Sequence, residues 1–380
     1  MTCLPAAFGH NASMNKETET PYKNPQLSSQ PIGMWQLHLP AVISKNNFVY
    51  KSLSNWALNT AVGCDHACRF CYVPSTSTIK QGPTLQKFGV ADPDSEWGDY
   101  VLLRPWDEKK FLASLRKAEE TPMSSLNPDG NRAVLLCSTT DPYQVIKHPD
   151  PARAKELRAH AEFVIRRSLE LIKQHSTINV RILTRSPLAK RDFDLFKALG
   201  NRLLFGMSLP TLRNDLARLY EPKAPAISQR LATLKAAAEA GIPVYVAMAP
   251  TPAEVDEADV RATLTEIKKL NPLTVFHEPI NMRAENVLRI QEHAKKLNVK
   301  MNTTVFATDE AWEDYSISQL KLVERVATEL GLGERLHLWP DQDLGLKKSL
   351  LRQANPKEFQ EWLNRYWHRI SEWPAWGGLV

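Results

Sequence analysis

From residue 132 to residue 297 the chain alternates compact apolar runs with stretches whose apolar positions recur every third or fourth residue. Arg132–Cys137, Ile178–Thr184, Arg202–Ser208, Val244–Ala249 and Leu273–His277 have the length and composition of buried strands. Asp150 followed by Pro151 starts a helix, a capping residue and then proline in the first turn, and Leu157, Ala161, Val164, Ser168 and Leu171 mark its apolar face. Leu195, Phe196 and Leu199 mark a shorter helix closed by Gly200. Ser228 opens a helix carrying Leu231, Leu234 and Ala238, with Gly241 after it; Asp256–Leu270 gives another, and Val287, Ile290, Ala294 and Leu297 mark the next. With an earlier short strand over Asn59–Val62, six βα units run from Asn59 to about Leu297. Such alternation predicts a parallel sheet with helical crossovers, and the pattern alone leaves a closed barrel and an open doubly wound sheet both open.

The flanks read differently. Residues 1 to about 45 are rich in Pro, Ser, Asn, Lys and Thr and predict an extension without regular structure. Residues 74–105 read as an irregular insertion and Asp107–Ala118 as a helix. After residue 300, Asn355 and Pro356 start a helix with Phe359, Leu363, Tyr366 and Ile370 on one face, and Trp362, Trp367, Trp373 and Trp376 crowd the same stretch. These aromatics either belong to a helix that closes the open side of the barrel or stack on unpaired bases. The expected division is an N-terminal extension over 1–45, a core over 46–300 and a C-terminal helical, Trp-rich segment over 301–380.

Three of the five cysteines, Cys64, Cys68 and Cys71, fall within eight residues just after the first predicted strand. That places them at the carboxyl end of the sheet, where parallel α/β folds bind ligands. Three thiolates on one short loop can hold three irons of a [4Fe–4S] cluster and leave the fourth iron open. A zinc knot completed by His66 or a distant ligand is the alternative, although no second Cys/His pair follows downstream. Ser138-Thr139-Thr140-Asp141 follows the second predicted strand directly, and such a polar run at the ligand face needs partners or solvent.

The Cys-x3-Cys-x2-Cys spacing, with Phe70 before the third cysteine, resembles the signature of the radical S-adenosylmethionine (SAM) enzymes. Thr140-Asp141-Pro142-Tyr143-Gln144, Leu183–Pro187, Tyr220–Pro225, Ala240–Val244 and Ala249-Pro250 narrow the resemblance to the spore photoproduct lyase-like, DNA repair photolyase-related group. The resemblance covers about residues 55–290 and implies a partial (β/α)6 barrel. It implies a [4Fe–4S] cluster on Cys64, Cys68 and Cys71, with SAM chelated at the open iron, cleaved reductively and yielding a 5′-deoxyadenosyl radical. Ser138, Thr139 and Thr140, with Asp141 beside them, would lie near the methionine amino group; Arg185 and Ser208 would approach the carboxylate and ribose. It implies an external one-electron reductant of flavodoxin or ferredoxin type, and it leaves the substrate unidentified, nucleic acid included.

Composition changes this little. Hydrophobic residues make up 43% of 380 residues, net charge is +6 and mean hydropathy −0.36, values of an ordinary globular protein. The charge suits a polyanionic partner without demanding one. No membrane-spanning run and no signal-like start are read, and the few clustered cysteines suit a reducing cytoplasm. His277-Glu278 and His337–Asp341 are further candidates for the substrate side. No cysteine follows Cys137, so the late hydrogen-donating cysteine of the lyase itself is missing, with Tyr72, Tyr143 and Tyr245 as other donors. A non-catalytic, zinc- or cluster-stabilised nucleic-acid-binding protein is the competing reading.

Overall fold

The computed structural model describes residues 21–35, 39–46, 53–126, 131–367 and 373. Strands are β1 (Ile32–Met34), β2 (Ile43–Lys45), β3 (Trp56–Leu58), β4 (Ala61–Val62), β5 (Val101–Leu103), β6 (Ala133–Leu136), β7 (Asn179–Thr184), β8 (Leu203–Ser208), β9 (Val244–Thr251), β10 (Thr274–Pro279) and β11 (Leu336–Leu338). The main sheet runs β2-β3-β6-β7-β8-β9-β10-β11. Every neighbouring pair is parallel except the β2–β3 edge. Its order never reverses along the sequence, so this is not a doubly wound sheet. Among the described residues the sheet is open, with β2 and β11 as its edges.

Side chains alternate across the strands with period two, which decides the two faces. Val180, Ile182, Phe205, Met207, Val246 and Met248 join the helices in the largest apolar cluster. On the other face Leu204, Tyr245, Ala247, Ala249 and Phe276 form a smaller cluster with Leu53 and Trp339. Gly206 makes room there for the Tyr245 ring, since a Cβ would come within 2.3 Å of it.

The helices begin where their caps predict. Asp150 accepts a hydrogen bond from the Ala152 amide at 2.9 Å and starts Pro151–His175; Asp256 accepts from the Asp259 amide at 2.9 Å and starts Glu257–Lys269. Two helices that periodicity did not single out, Asn214–Tyr220 and Asp309–Glu329, complete the covering layer.

Three expectations change. The segment up to residue 45 is not without regular structure, since β1 and β2 lie in it and β2 forms an edge of the main sheet. The first sheet strand is Trp56–Leu58, not Asn59–Val62: Trp56 to Leu58 pairs in register with Val134 to Leu136. Ala61–Val62 instead pairs antiparallel with β5 in a separate sheet of order β1-β5-β4 and leads straight into the cysteine loop. Nor is 74–105 irregular. Consecutive short helical turns run from Pro74 to Phe88, and Val73, Leu85, Phe88, Val90, Trp97, Tyr100 and Leu102 pack with Trp35, Val62 and Cys64.

The C-terminal helix, Pro356–Trp367, lays Phe359, Trp362, Leu363 and Tyr366 into the main core, and Trp362 donates its indole N–H to Glu324 at 2.7 Å. Trp373 donates to the Asn201 carbonyl, with the Arg181 guanidinium 5.1 Å from its ring. These two indoles are engaged within the fold, which favours packing over base stacking. Ile370 and Trp376 lie outside the described residues. Among the described residues no helix is long and apolar enough to cross a membrane.

Candidate active site

A cavity of about 490 Å³ opens at the carboxyl ends of the parallel strands. Cys64, Cys68 and Cys71 line it, together with Ser138, Thr139, Thr140, Asp141, Arg185 and Ser208. The structure thus brings together the nine residues that the resemblance assigns to the cluster and SAM.

The cysteine loop is held by groups from several different βα connections. Gly63 takes φ +89°, and a Cβ there would lie 2.2 Å from the Tyr100 carbonyl oxygen, so the turn into Cys64 needs glycine. The Thr140 hydroxyl donates to the Gly63 carbonyl at 2.5 Å, and the Asp65 amide donates to Gln144 Oε1 at 2.7 Å. The Arg69 amide donates to the Tyr220 carbonyl at 2.9 Å, and Asn286 Nδ2 donates to the Phe70 carbonyl at 3.2 Å. Arg289 reaches the Cys71 carbonyl.

The thiols are not paired in disulfides; Cys64 and Cys68 are buried and Cys71 is half-buried. Burial pushes all three thiols up, Cys68 to about 12, and the Asp141 carboxylate adds to the rise at Cys64. Without an electrophile they are protonated, so a metal that binds here displaces protons. Among the described residues no three His, Cys, Asp or Glu side chains converge on one ion.

Asn59, which sequence reading passed over as part of a strand, sits between β3 and β4 and organises the polar run after β6. Its Oδ1 accepts from the Thr139 amide at 3.2 Å and hydroxyl at 3.1 Å, while its Nδ2 donates to Ser138 Oγ at 3.2 Å. Asp141 is buried and has its oxygens filled: Oδ1 accepts from the Tyr143 amide at 2.8 Å and Thr184 hydroxyl at 2.7 Å, Oδ2 from the Arg185 amide at 2.8 Å. His66 Nε2 lies 3.0 Å from the same Oδ2. Burial pushes this carboxyl up, but His66, Thr184 and the Arg185 amide outweigh it and hold it at about 2. Asp141 therefore braces the strand ends and holds His66 through Nε2, while His66 Nδ1 is buried without a hydrogen-bond partner.

Arg185 pairs through Nε with Glu221 at 2.5 Å, and Arg230 pairs with the other oxygen of Glu221 at 2.6 Å. Its guanidinium carbon lies 5.6 Å from the centre of the Phe70 ring, on the cysteine loop. Ser208 is buried, and its carbonyl accepts from Arg230.

The opposite wall joins the two later motifs. Because β10 and β11 are parallel neighbours, Glu278 and Trp339 emerge at one end of the sheet. Arg283 lines the wall and donates Nη2 to Asp341 at 2.7 Å. The Trp339 indole nitrogen is buried without a hydrogen-bond partner. His277 and His337 are buried behind this wall, His277 with Nδ1 3.1 Å from the Met248 carbonyl and His337 edge-on to Phe276. Of the three tyrosines, Tyr72 lines the cavity, whereas the Tyr143 and Tyr245 hydroxyls donate to Asp192 and the Ile182 carbonyl.

Comparison with known proteins agrees with this fold. Residues 58–267 match the profile of the Radical SAM superfamily. An uncharacterized protein of Acidianus two-tailed virus is 31% identical over 255 residues, covering 65% of this chain and 74% of the relative. An uncharacterized protein of Methanocaldococcus jannaschii is 24% identical over 258 residues, covering 67% and 82%. Among solved structures, a cysteine mutant of spore photoproduct lyase superposes with a TM-score of 0.55 at 14% identity, covering 81% of each chain. Another mutant of the same enzyme, with dinucleoside spore photoproduct, gives 0.55 at 13% identity over 85% of this chain and 88% of that one.

Proposed function

Since the chain belongs to the radical SAM superfamily, we propose that Cys64, Cys68 and Cys71 hold a [4Fe–4S] cluster with SAM at its open iron, inside a partial (β/α)6 barrel. The observation that carries this is the meeting of three free thiols with the Ser138–Asp141 run and Arg185 around one cavity. The donor set fits a cubane, in which each thiolate binds a different iron. A single zinc needs its ligands gathered about one point, and the described side chains offer no such group. A cluster held by Cys64, Cys68 and Cys71 would supply one electron for the reductive cleavage of SAM, which would yield a 5′-deoxyadenosyl radical.

The chain's own residues do the rest. Ser138, Thr139 and Thr140, fixed by Asn59 and Gly63, present hydroxyls and backbone to the methionine end of SAM. The Arg185 fork, steadied by Glu221, turns its other N–H groups to a carboxylate. Ser208, which lines the same cavity, is assigned to the ribose side. The insertion over 74–103, packed on the cysteine loop, keeps water from the thiols. The substrate lies against the Glu278, Arg283 and Trp339 wall, and an external flavodoxin- or ferredoxin-type protein delivers the electron.

Anaerobic reconstitution with iron and sulfide, followed by dithionite and SAM, tests the reading. Release of 5′-deoxyadenosine by the wild type, absent in Cys64→Ala, supports it; equal amounts from both contradict it.

A further inference from the structure

The third cysteine is gripped from a helix more than two hundred residues away in sequence. Helix Asn286–Leu297, which follows β10, starts against the cysteine loop. Asn286 Nδ2 donates to the Phe70 carbonyl at 3.2 Å and to the Asn281 carbonyl at 2.8 Å. One turn on, Arg289 is only 5% exposed and reaches three groups at once: the Cys71 carbonyl, the Asp94 carboxylate and the Ser75 hydroxyl, the last at 3.0 Å. Ser75 in turn donates to Asp94 at 2.6 Å. Loop, insertion and helix thus meet at a single guanidinium. A buried arginine is costly to desolvate and is retained where its charge is matched. Here the match is one carboxylate, set beside the position of a cluster ligand.

We propose that Arg289 is a positioning residue for the cluster, fixing the peptide of the third cysteine and, with Asp94, setting the charge felt by a cluster held there. The inference rests on the cluster reading above. Reduction adds a negative charge to the cluster, so a fixed cation nearby favours the reduced state and a fixed anion opposes it. Arg289 and Asp94 act in opposite senses.

Potentiometric titration of the reconstituted protein, read by electron paramagnetic resonance, separates this role from simple packing. Arg289→Met moves the cluster midpoint to lower potential, Asp94→Asn moves it to higher potential, and Arg289→Lys stays near the wild type. Arg289→Met protein that melts as a folded apoprotein but retains severalfold less iron supports the positioning half, and Asp94→Asn then reads the charge. Midpoints of Arg289→Met and Asp94→Asn that both coincide with the wild type, or that shift in the same direction, overturn the proposal. Iron and sulfide analysis of the wild type comes first: without a cluster, the functional reading falls and takes this inference with it.

Discussion

Arg185 Nε donates to Glu221 across 2.5 Å, and the arginine expected to meet the carboxylate of SAM is thereby anchored by a carboxylate of its own. Glu221 is buried and holds Arg230 with its second oxygen. Breaking a buried pair by removing one partner costs about 3–5 kcal/mol, because a charge is left buried and unmatched. Glu221→Gln is expected to lower stability by about that amount in urea unfolding. A loss below about 1 kcal/mol, as for an exposed pair, would contradict the bridging role.

Asn59 holds the Ser138–Thr139 segment without lying among the residues that line the cavity. Asn59→Ala should leave iron content unchanged and weaken SAM binding roughly tenfold, equal to about 1.4 kcal/mol, in equilibrium dialysis of the reconstituted protein. Unchanged affinity would show that the polar run does not bind SAM or does not depend on Asn59.

Both residues illustrate what the sequence could and could not convey. The long strands β6 to β10 and the capped helices were legible because their signals are local: apolar runs, Asp150 before Pro151, Gly200 after Leu199. The thiols and the Ser138–Asp141 run were legible because chemistry and spacing sit within a few residues. β3, β5 and β11 are three-residue strands defined by distant partners, so the first strand reads as Asn59–Val62 rather than Trp56–Leu58. Asn59, Glu221, Arg283 and Arg289 owe their roles to residues far along the chain. Polar residues just beyond strand ends were the available signal for Asn59 and Arg283; nothing local marks Arg289.

Gly63→Ala places a Cβ 2.2 Å from the Tyr100 carbonyl oxygen at φ +89°. A cost of about 1–3 kcal/mol in unfolding is expected from the forced backbone shift, together with reduced iron retention after reconstitution. Full iron content with unchanged stability would mean that the turn into Cys64 has slack.

Glu119 gives the pH dependence a defined sign. Burial pushes its carboxyl up, but Ser176, Thr177 and Arg132 outweigh this and bring it from 4.5 to about 2. A carboxyl depressed in the folded state adds stability that is present above its ordinary range and is lost as pH falls toward the folded value. The wild-type apoprotein should therefore lose stability between about pH 4.5 and about pH 2 more steeply than Glu119→Gln. Parallel melting-temperature curves for the two would contradict this.

The central claim is a cluster gripped at three corners with its fourth iron available to SAM. Electron paramagnetic resonance of the dithionite-reduced, anaerobically prepared protein, recorded with and without SAM, tests it most directly. The account predicts a [4Fe–4S] signal whose shape changes when SAM is added and which is absent in Cys64→Ala. A signal indifferent to SAM, or a colourless protein carrying one zinc per chain, would contradict it.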